Sequence, residues 1–161
     1  MAGDIRLLFV DDEEDFVDFM VMRLEKQGFV VSAYTDPLKA LEETESKVFD
    51  VGLLDLKMPG MDGEELLRRL KERAPKMEII ILTGHGGVES AFRVGQLHAY
   101  EYLLKPCNYE ELTAAINRAY GRRIKSVQQE KAERVDDLMK RAMYYSPQSL
   151  LEELRKLDEA E

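Results

Sequence analysis

Four short apolar runs in this 161-residue chain each end in a polar residue able to do chemistry. Leu7-Leu8-Phe9-Val10 runs into Asp11-Asp12, Val51-Gly52-Leu53-Leu54 into Asp55, Ile79-Ile80-Ile81-Leu82 into Thr83, and Tyr102-Leu103-Leu104 into Lys105-Pro106. Three carboxylates, a hydroxyl and an ammonium suit the handling of a phosphoryl group. Carboxylates hold a hard divalent cation, while cation, ammonium and hydroxyl meet phosphate oxygens. Asp55 is the candidate nucleophile and phosphate acceptor, because a carboxylate at the end of a buried strand can be held in line with an incoming phosphoryl group. Asp11 and Asp12 beside it would need a cation, Mg²⁺ or Mn²⁺ in its place, since crowded carboxylates repel. Lys105 can pair with Asp55 before phosphorylation and with phosphate oxygens after it, and the Thr83 hydroxyl can donate to the same oxygens. Taken singly, each has a plainer reading: Asp55 as a capping aspartate, Asp11 to Asp15 as an acidic helix start, Lys105 as a solvated lysine. Their joint placement after apolar runs favours chemistry.

The elements that must position these residues read as five βα units. Runs of four to eight Val, Ile and Leu residues suit strands buried on both faces of a parallel sheet, whose ligands bind beyond the carboxyl ends. Strands are expected over 5–10, 29–34, 51–54, 77–82 and 99–104. A first helix begins at Glu13-Glu14-Asp15 and stops at Gly28, and a second begins at Asp36-Pro37, an N-cap with proline at the first helical position. A third spans 64–73, closed by Pro75. A fourth over 88–97 is weakened by Gly95, and a fifth starts near Asn108. The fold class is therefore α/β, a doubly wound parallel sheet with helices on both faces.

These residues resemble the receiver domain of bacterial two-component response regulators. The resemblance rests on Asp11-Asp12, on Asp55 followed by Leu56-Lys57-Met58-Pro59-Gly60-Met61-Asp62-Gly63, on Thr83-Gly84, and on Tyr102-Leu103-Leu104-Lys105-Pro106. Thr83-Gly84-His85-Gly86 is most similar to receivers of the nitrogen-regulation class. The resemblance implies a flavodoxin-like strand order 2-1-3-4-5. It also implies direct metal ligation by Asp12, Asp55 and the backbone carbonyl of Lys57, with Asp11 acting mainly through water. Thr83 and Tyr102 are implied as switch residues, Lys57 and His85 as side chains that tune dephosphorylation, Lys105-Pro106 as a cis peptide bond, and His98, where the family usually has glycine, as a left-handed residue after the fourth helix. The implied partners are a histidine kinase or histidine phosphotransfer protein and a downstream protein effector.

Composition bounds the rest. Residues 1–120 carry 14 Lys and Arg against 23 Asp and Glu, whereas residues 121–161 carry 9 of each, so the whole formal charge of −9 belongs to the first segment. An acidic receiver disfavours direct nucleic-acid binding, and no run approaches the roughly 20 apolar residues of a membrane span. One cysteine, Cys107, reads as a small filler in a cytoplasmic protein. Residues 1–120 form the expected receiver and 121–161 a helical extension. In the extension, Tyr120, Ile124, Val127, Lys131, Val135, Leu138 and Ala142 form a narrow stripe, and Leu150, Leu151, Leu154 and Leu157 mark a short terminal helix after Ser146-Pro147. That stripe either pairs with a second copy as a coiled coil or folds back on the receiver. A metal-dependent phosphohydrolase of the aspartyl-phosphate type is the alternative function, although such enzymes usually place an acid where Lys57 stands. A nucleotide- or flavin-binding module is weaker still, because Gly84-His85-Gly86-Gly87 lacks the phosphate-loop pattern.

Overall fold

The computed structural model describes residues 4–144 and 146–159. It divides into two units, Met1–Arg123 and Ile124–Glu161. In the first, five parallel strands form one sheet in the order β2-β1-β3-β4-β5, as expected. They are β1 (Arg6–Val10), β2 (Val30–Tyr34), β3 (Val51–Leu54), β4 (Glu78–Thr83) and β5 (Glu101–Leu104). Alternate side chains of each strand point to opposite faces, so one core contains Leu7, Phe9, Leu53 and Ile80, and the other Leu8, Val10, Leu54 and Ile81. Helix α1 (Glu14–Lys26) and the first turns of α5 (Tyr109–Arg141) cover the first face through Val17, Met20, Leu24, Leu112 and Ile116. Helices α2 (Pro37–Glu43), α3 (Gly63–Arg73) and α4 (Val88–Gln96) cover the other.

Local signals start and stop these helices. Asp36 Oδ1 accepts from the Leu38 N–H at 2.9 Å with Pro37 at the first position, and Asp62 Oδ1 accepts from the Glu65 N–H at 2.9 Å. Gly28 leaves α1 with φ +91°, and His98 lies at φ +65°, a left-handed histidine after α4. Gly95 does not break α4, because burial of the neighbouring Val94 against the second core offsets its poor helix propensity.

The strand starts, at the end of the sheet away from the candidate site, hold acidic residues that meet arginines of α5. Buried Asp50, just before β3, receives Arg6 Nε at 2.9 Å and Arg123 Nε at 2.8 Å. Buried Glu78 lies 3.5 Å from Arg122 and 3.7 Å from Lys71, and Glu101 accepts from Arg118 at 2.9 Å. Burial alone pushes the Asp50 carboxyl up, yet the two guanidinium groups and the Arg6 N–H outweigh it and hold the group below its ordinary value.

In the second unit, α5 continues to Arg141, a 3-10 turn follows at Ala142–Tyr144, and α6 covers Pro147–Glu159. The Ser146 hydroxyl accepts from the Ser149 N–H at 3.2 Å, giving α6 its expected cap; Tyr145 lies outside the described residues. Leu138 and Leu157 line one cleft between α5 and α6, so these helices lie side by side. Lys131 interrupts the apolar stripe but not the helix, since lysine is a good helix former.

Two outcomes follow from this packing. Asp50→Asn should lower stability in urea unfolding at pH 7 by about 1–3 kcal/mol, because it strips the countercharge from Arg6 and Arg123. A carboxyl held low in the folded chain contributes fully above its unfolded value and loses that contribution as pH falls through the folded value. The gap between wild type and variant should therefore narrow below about pH 3.9; a gap that stays constant into acid would remove the network from the account. Second, a Cβ at Gly63 would overlap the backbone of Asp55 and Leu56. Gly63→Ala should cost about 1–3 kcal/mol and shift the Asp55 amide resonance, since α3 must retreat from the loop that carries Asp55.

Candidate phosphoacceptor site

Asp11, Asp12, Asp55, Thr83 and Lys105 each sit at or just beyond a strand's carboxyl end, while Tyr102 lies within β5. The ladder continues past the strands: Asp11 N–H donates to Tyr34 O at 3.2 Å, Asp55 N–H to Val10 O at 3.0 Å, and Lys105 N–H to Thr83 O at 2.8 Å. These bonds fix the backbones of neighbouring strand ends relative to one another, which brings side chains far apart in sequence to one place. Asp11, Asp12 and Asp55 each offer a carboxylate oxygen, all within 4.8 Å of one another. Asp11 is fully buried and Asp55 nearly so, whereas Asp12 is exposed at the mouth. Oxygen-only donors that converge with one side open fit a hard divalent cation such as Mg²⁺.

Two backbone N–H groups hold the buried carboxylates: Glu13 donates to Asp11 Oδ1 at 2.9 Å and Leu56 to Asp55 Oδ1 at 2.8 Å. Lys105 differs from expectation. Among the described residues its ammonium donates to Asp11 Oδ2 and, at 3.4 Å, to Glu13 Oε1, rather than to Asp55. Each of the two buried carboxylates already accepts one backbone N–H, so those bonds do not separate them, and the ammonium pairs with Asp11, the more completely buried of the two. Burial pushes the Asp11 carboxyl up, and Lys105 and the Glu13 N–H oppose that only in part. Burial pushes the Lys105 ammonium down, but Asp11, Asp55 and Glu13 outweigh it and raise the group above its ordinary value. Three carboxylates against one ammonium leave the site short of positive charge.

Thr83 is fully buried, and its Oγ1 accepts from the His85 N–H at 3.1 Å, which orients the hydroxyl's remaining donor. Tyr102 is half-buried, and its hydroxyl is enclosed without a hydrogen-bond partner among the described residues. It sits against Gly86, where any Cβ would collide with the hydroxyl. Lys57 and His85 are both exposed on the loops after Asp55 and Thr83, and Lys105-Pro106 is cis as the resemblance implied. Cys107 is half-buried, and burial pushes its thiol up, away from thiolate character.

Several contributors were not singled out from sequence. Gly63 and Gly86 matter for the space they leave to Asp55 and Tyr102; in sequence they stood only within the stretches 55–63 and 83–86 that carry the resemblance, with nothing to mark that role. Glu13 and Phe16 touch Lys105, but an acidic helix start and an apolar helix position do not advertise a contact 89 to 92 residues away.

Comparison with known proteins agrees with this geometry. The family described as the response regulator receiver domain matches residues 7–117. The chain is 34% identical over 114 residues to the DNA-binding transcriptional regulator NtrC of Escherichia coli K12, covering 70% of this chain and 24% of that protein. It is 35% identical over 117 residues to a putative response regulator NtrX-like protein of Rickettsia bellii, covering 71% and 24%. The chain thus spans about a quarter of the length of the curated relatives it matches. Among solved structures, a CheY-like receiver domain protein from Methanospirillum hungatei superposes with TM-score 0.74 at 29% identity, covering 77% of this chain and 99% of that one. A receiver domain protein from Clostridium thermocellum gives TM-score 0.69 at 36% identity, covering 73% and 94%. With the sheet order, the acidic cluster and the family match in agreement, the chain belongs to the response regulator receiver domain family.

Proposed function

We propose that the chain accepts a phosphoryl group on Asp55 from a phosphohistidine of a histidine kinase or histidine phosphotransfer protein, and passes the signal on through protein contacts. One observation carries the reading: Asp11, Asp12 and Asp55 converge at the strand ends where Thr83 and Lys105 also arrive. The free Asp55 oxygen attacks phosphorus, the P–N bond to the donor histidine breaks, and an acyl phosphate forms. Lys105 then exchanges Asp11 for a phosphoryl oxygen, and the Thr83 hydroxyl turns to a second one, drawing the loop 84–87 inward. Asp11, Asp12, Asp55 and the Lys57 carbonyl would hold Mg²⁺, with Mn²⁺ as a substitute; the ion supplies charge neutralisation for the incoming phosphoryl oxygens. Lys57 and His85, exposed on the two flanking loops, are placed to govern water's access to the acyl phosphate. The cytoplasm is the compartment this reading requires, because the kinase draws on ATP. The phosphohydrolase alternative is not favoured, since Lys57 occupies the place of its second acid.

The extension is read as a self-association element. In the second unit Val135, Met139, Tyr144 and Leu151 remain exposed, so pairing of two copies along α5 would remove apolar surface from water.

Exposure to acetyl phosphate with Mg²⁺ should add one labile phosphate in intact-protein mass spectrometry. Asp55→Asn should lose the adduct, Asp12→Ala should slow its formation at least about tenfold, and chelation of the metal should abolish it. An undiminished adduct in Asp55→Asn would falsify the assignment. For the extension, light scattering of the full chain at high micromolar concentration should give a dimer that Val135→Glu with Met139→Glu returns to monomer; a monomeric wild type, with and without beryllofluoride, sinks self-association.

A further inference from the structure

We propose that Phe16 is a positioning residue for Lys105, holding its ammonium on the face of an aromatic ring while the lysine changes hydrogen-bond partners. The inference rests on the reading of Lys105 as a phosphoryl-oxygen ligand. Lys105 Nζ lies 4.2 Å from the centroid of the Phe16 ring. That ring is not free to choose its orientation: it packs edge-to-face on Phe9 of β1, with centroids 6.0 Å apart and planes at 73°, and it is half-buried against the first core. The lysine side chain is only 13% exposed, so its charge is largely without water, the condition under which a ring face attracts a cation most strongly.

The remaining contacts explain why a ring is needed. Besides the ring, the ammonium has fully buried Asp11 and a long contact to Glu13, whose side chain is 63% exposed. If Asp11 were the sole anchor, release toward a phosphoryl oxygen on Asp55 would pass through an ammonium with neither water nor partner. A π face stabilises positive charge without occupying a particular N–H, so the donors can turn from one carboxylate to another oxygen while the charge stays partnered. Phe16 and Lys105 also line a common cavity of about 180 Å³ together with Leu82 and Cys107. Lys105 therefore borders open space beside the ring, which leaves room for the side chain to change partners.

Phe16→Leu keeps apolar bulk and removes the ring, and Phe16→Tyr restores the ring. Asp55 phosphorylation by acetyl phosphate with Mg²⁺ should slow about three- to tenfold in Phe16→Leu and return to within about twofold of wild type in Phe16→Tyr. The Lys105 ε-methylene protons should be shifted upfield by the ring current in wild type and Phe16→Tyr but not in Phe16→Leu. A purely structural role is separated by repeating the pair in Lys105→Met, where Phe16→Leu should slow phosphorylation no further. Equal slowing in both backgrounds, or a Phe16→Tyr variant as slow as Phe16→Leu, overturns the proposal while leaving Asp55 as acceptor. A wild-type chain that takes no phosphoryl group on Asp55 overturns the receiver reading and this inference with it.

Discussion

Mutual repulsion among three carboxylates, each offering an oxygen within 4.8 Å of the others, is the constraint against which the surrounding structure works. Two of these groups have lost nearly all their water, so the unfavourable energy is higher than at a solvated acidic patch. Backbone hydrogen bonds between strand ends prevent the chain from relaxing apart, and the Glu13 and Leu56 N–H groups each satisfy one oxygen. Among the described residues Lys105 supplies the cation paired with this cluster, and what it leaves uncompensated is an attraction for a divalent ion. Such a site persists because the cores on both faces of the sheet are packed with aliphatic side chains whose burial far exceeds the local penalty.

The two ends of the sheet treat acidic groups in opposite ways. At the strand starts, Asp50, Glu78 and Glu101 meet Arg6, Arg123, Arg122, Lys71 and Arg118, so cations outnumber carboxylates and the Asp50 carboxyl is held low. At the strand ends the ratio is reversed, and burial holds the Asp11 carboxyl high. The same residue type is structural where its charge is balanced and chemically poised where it is not. Parallel strands make this division sharp, because all starts share one edge of the sheet and all ends the other.

Close approach of backbone is the second theme. Gly63 lets α3 begin directly against the Asp55 loop, and Gly86 lets the Tyr102 ring lie beneath the loop after Thr83. The enclosed Tyr102 hydroxyl, without a hydrogen-bond partner among the described residues, is a local cost of the kind found where a side chain has a second position available. Thr83 and Tyr102 thus both touch the same short loop, one through the His85 N–H and the other at Gly86.

The sequence by itself determined the order of strands and helices, the residues that end each strand, and the chemical type of the site. These are carried by local periodicity and by short motifs: Ile79 to Leu82 reads as buried strand, Asp36-Pro37 as a helix start, and Asp11-Asp12, Asp55, Thr83 and Lys105 as a phosphoryl-handling set. The left-handed His98 followed instead from the resemblance, since a glycine usually stands there in the family. Tertiary structure alone decided which of two nearby carboxylates Lys105 would serve, because that depends on where two strand ends 94 residues apart in sequence bring the side chains together. It alone placed Phe16 under the ammonium and Arg122 and Arg123 on Glu78 and Asp50, since contacts between distant elements leave no periodic trace in the chain. Where Gly63 and Gly86 are concerned, a glycine in sequence signals a turn, and only packing reveals that the missing side chain is space another residue occupies.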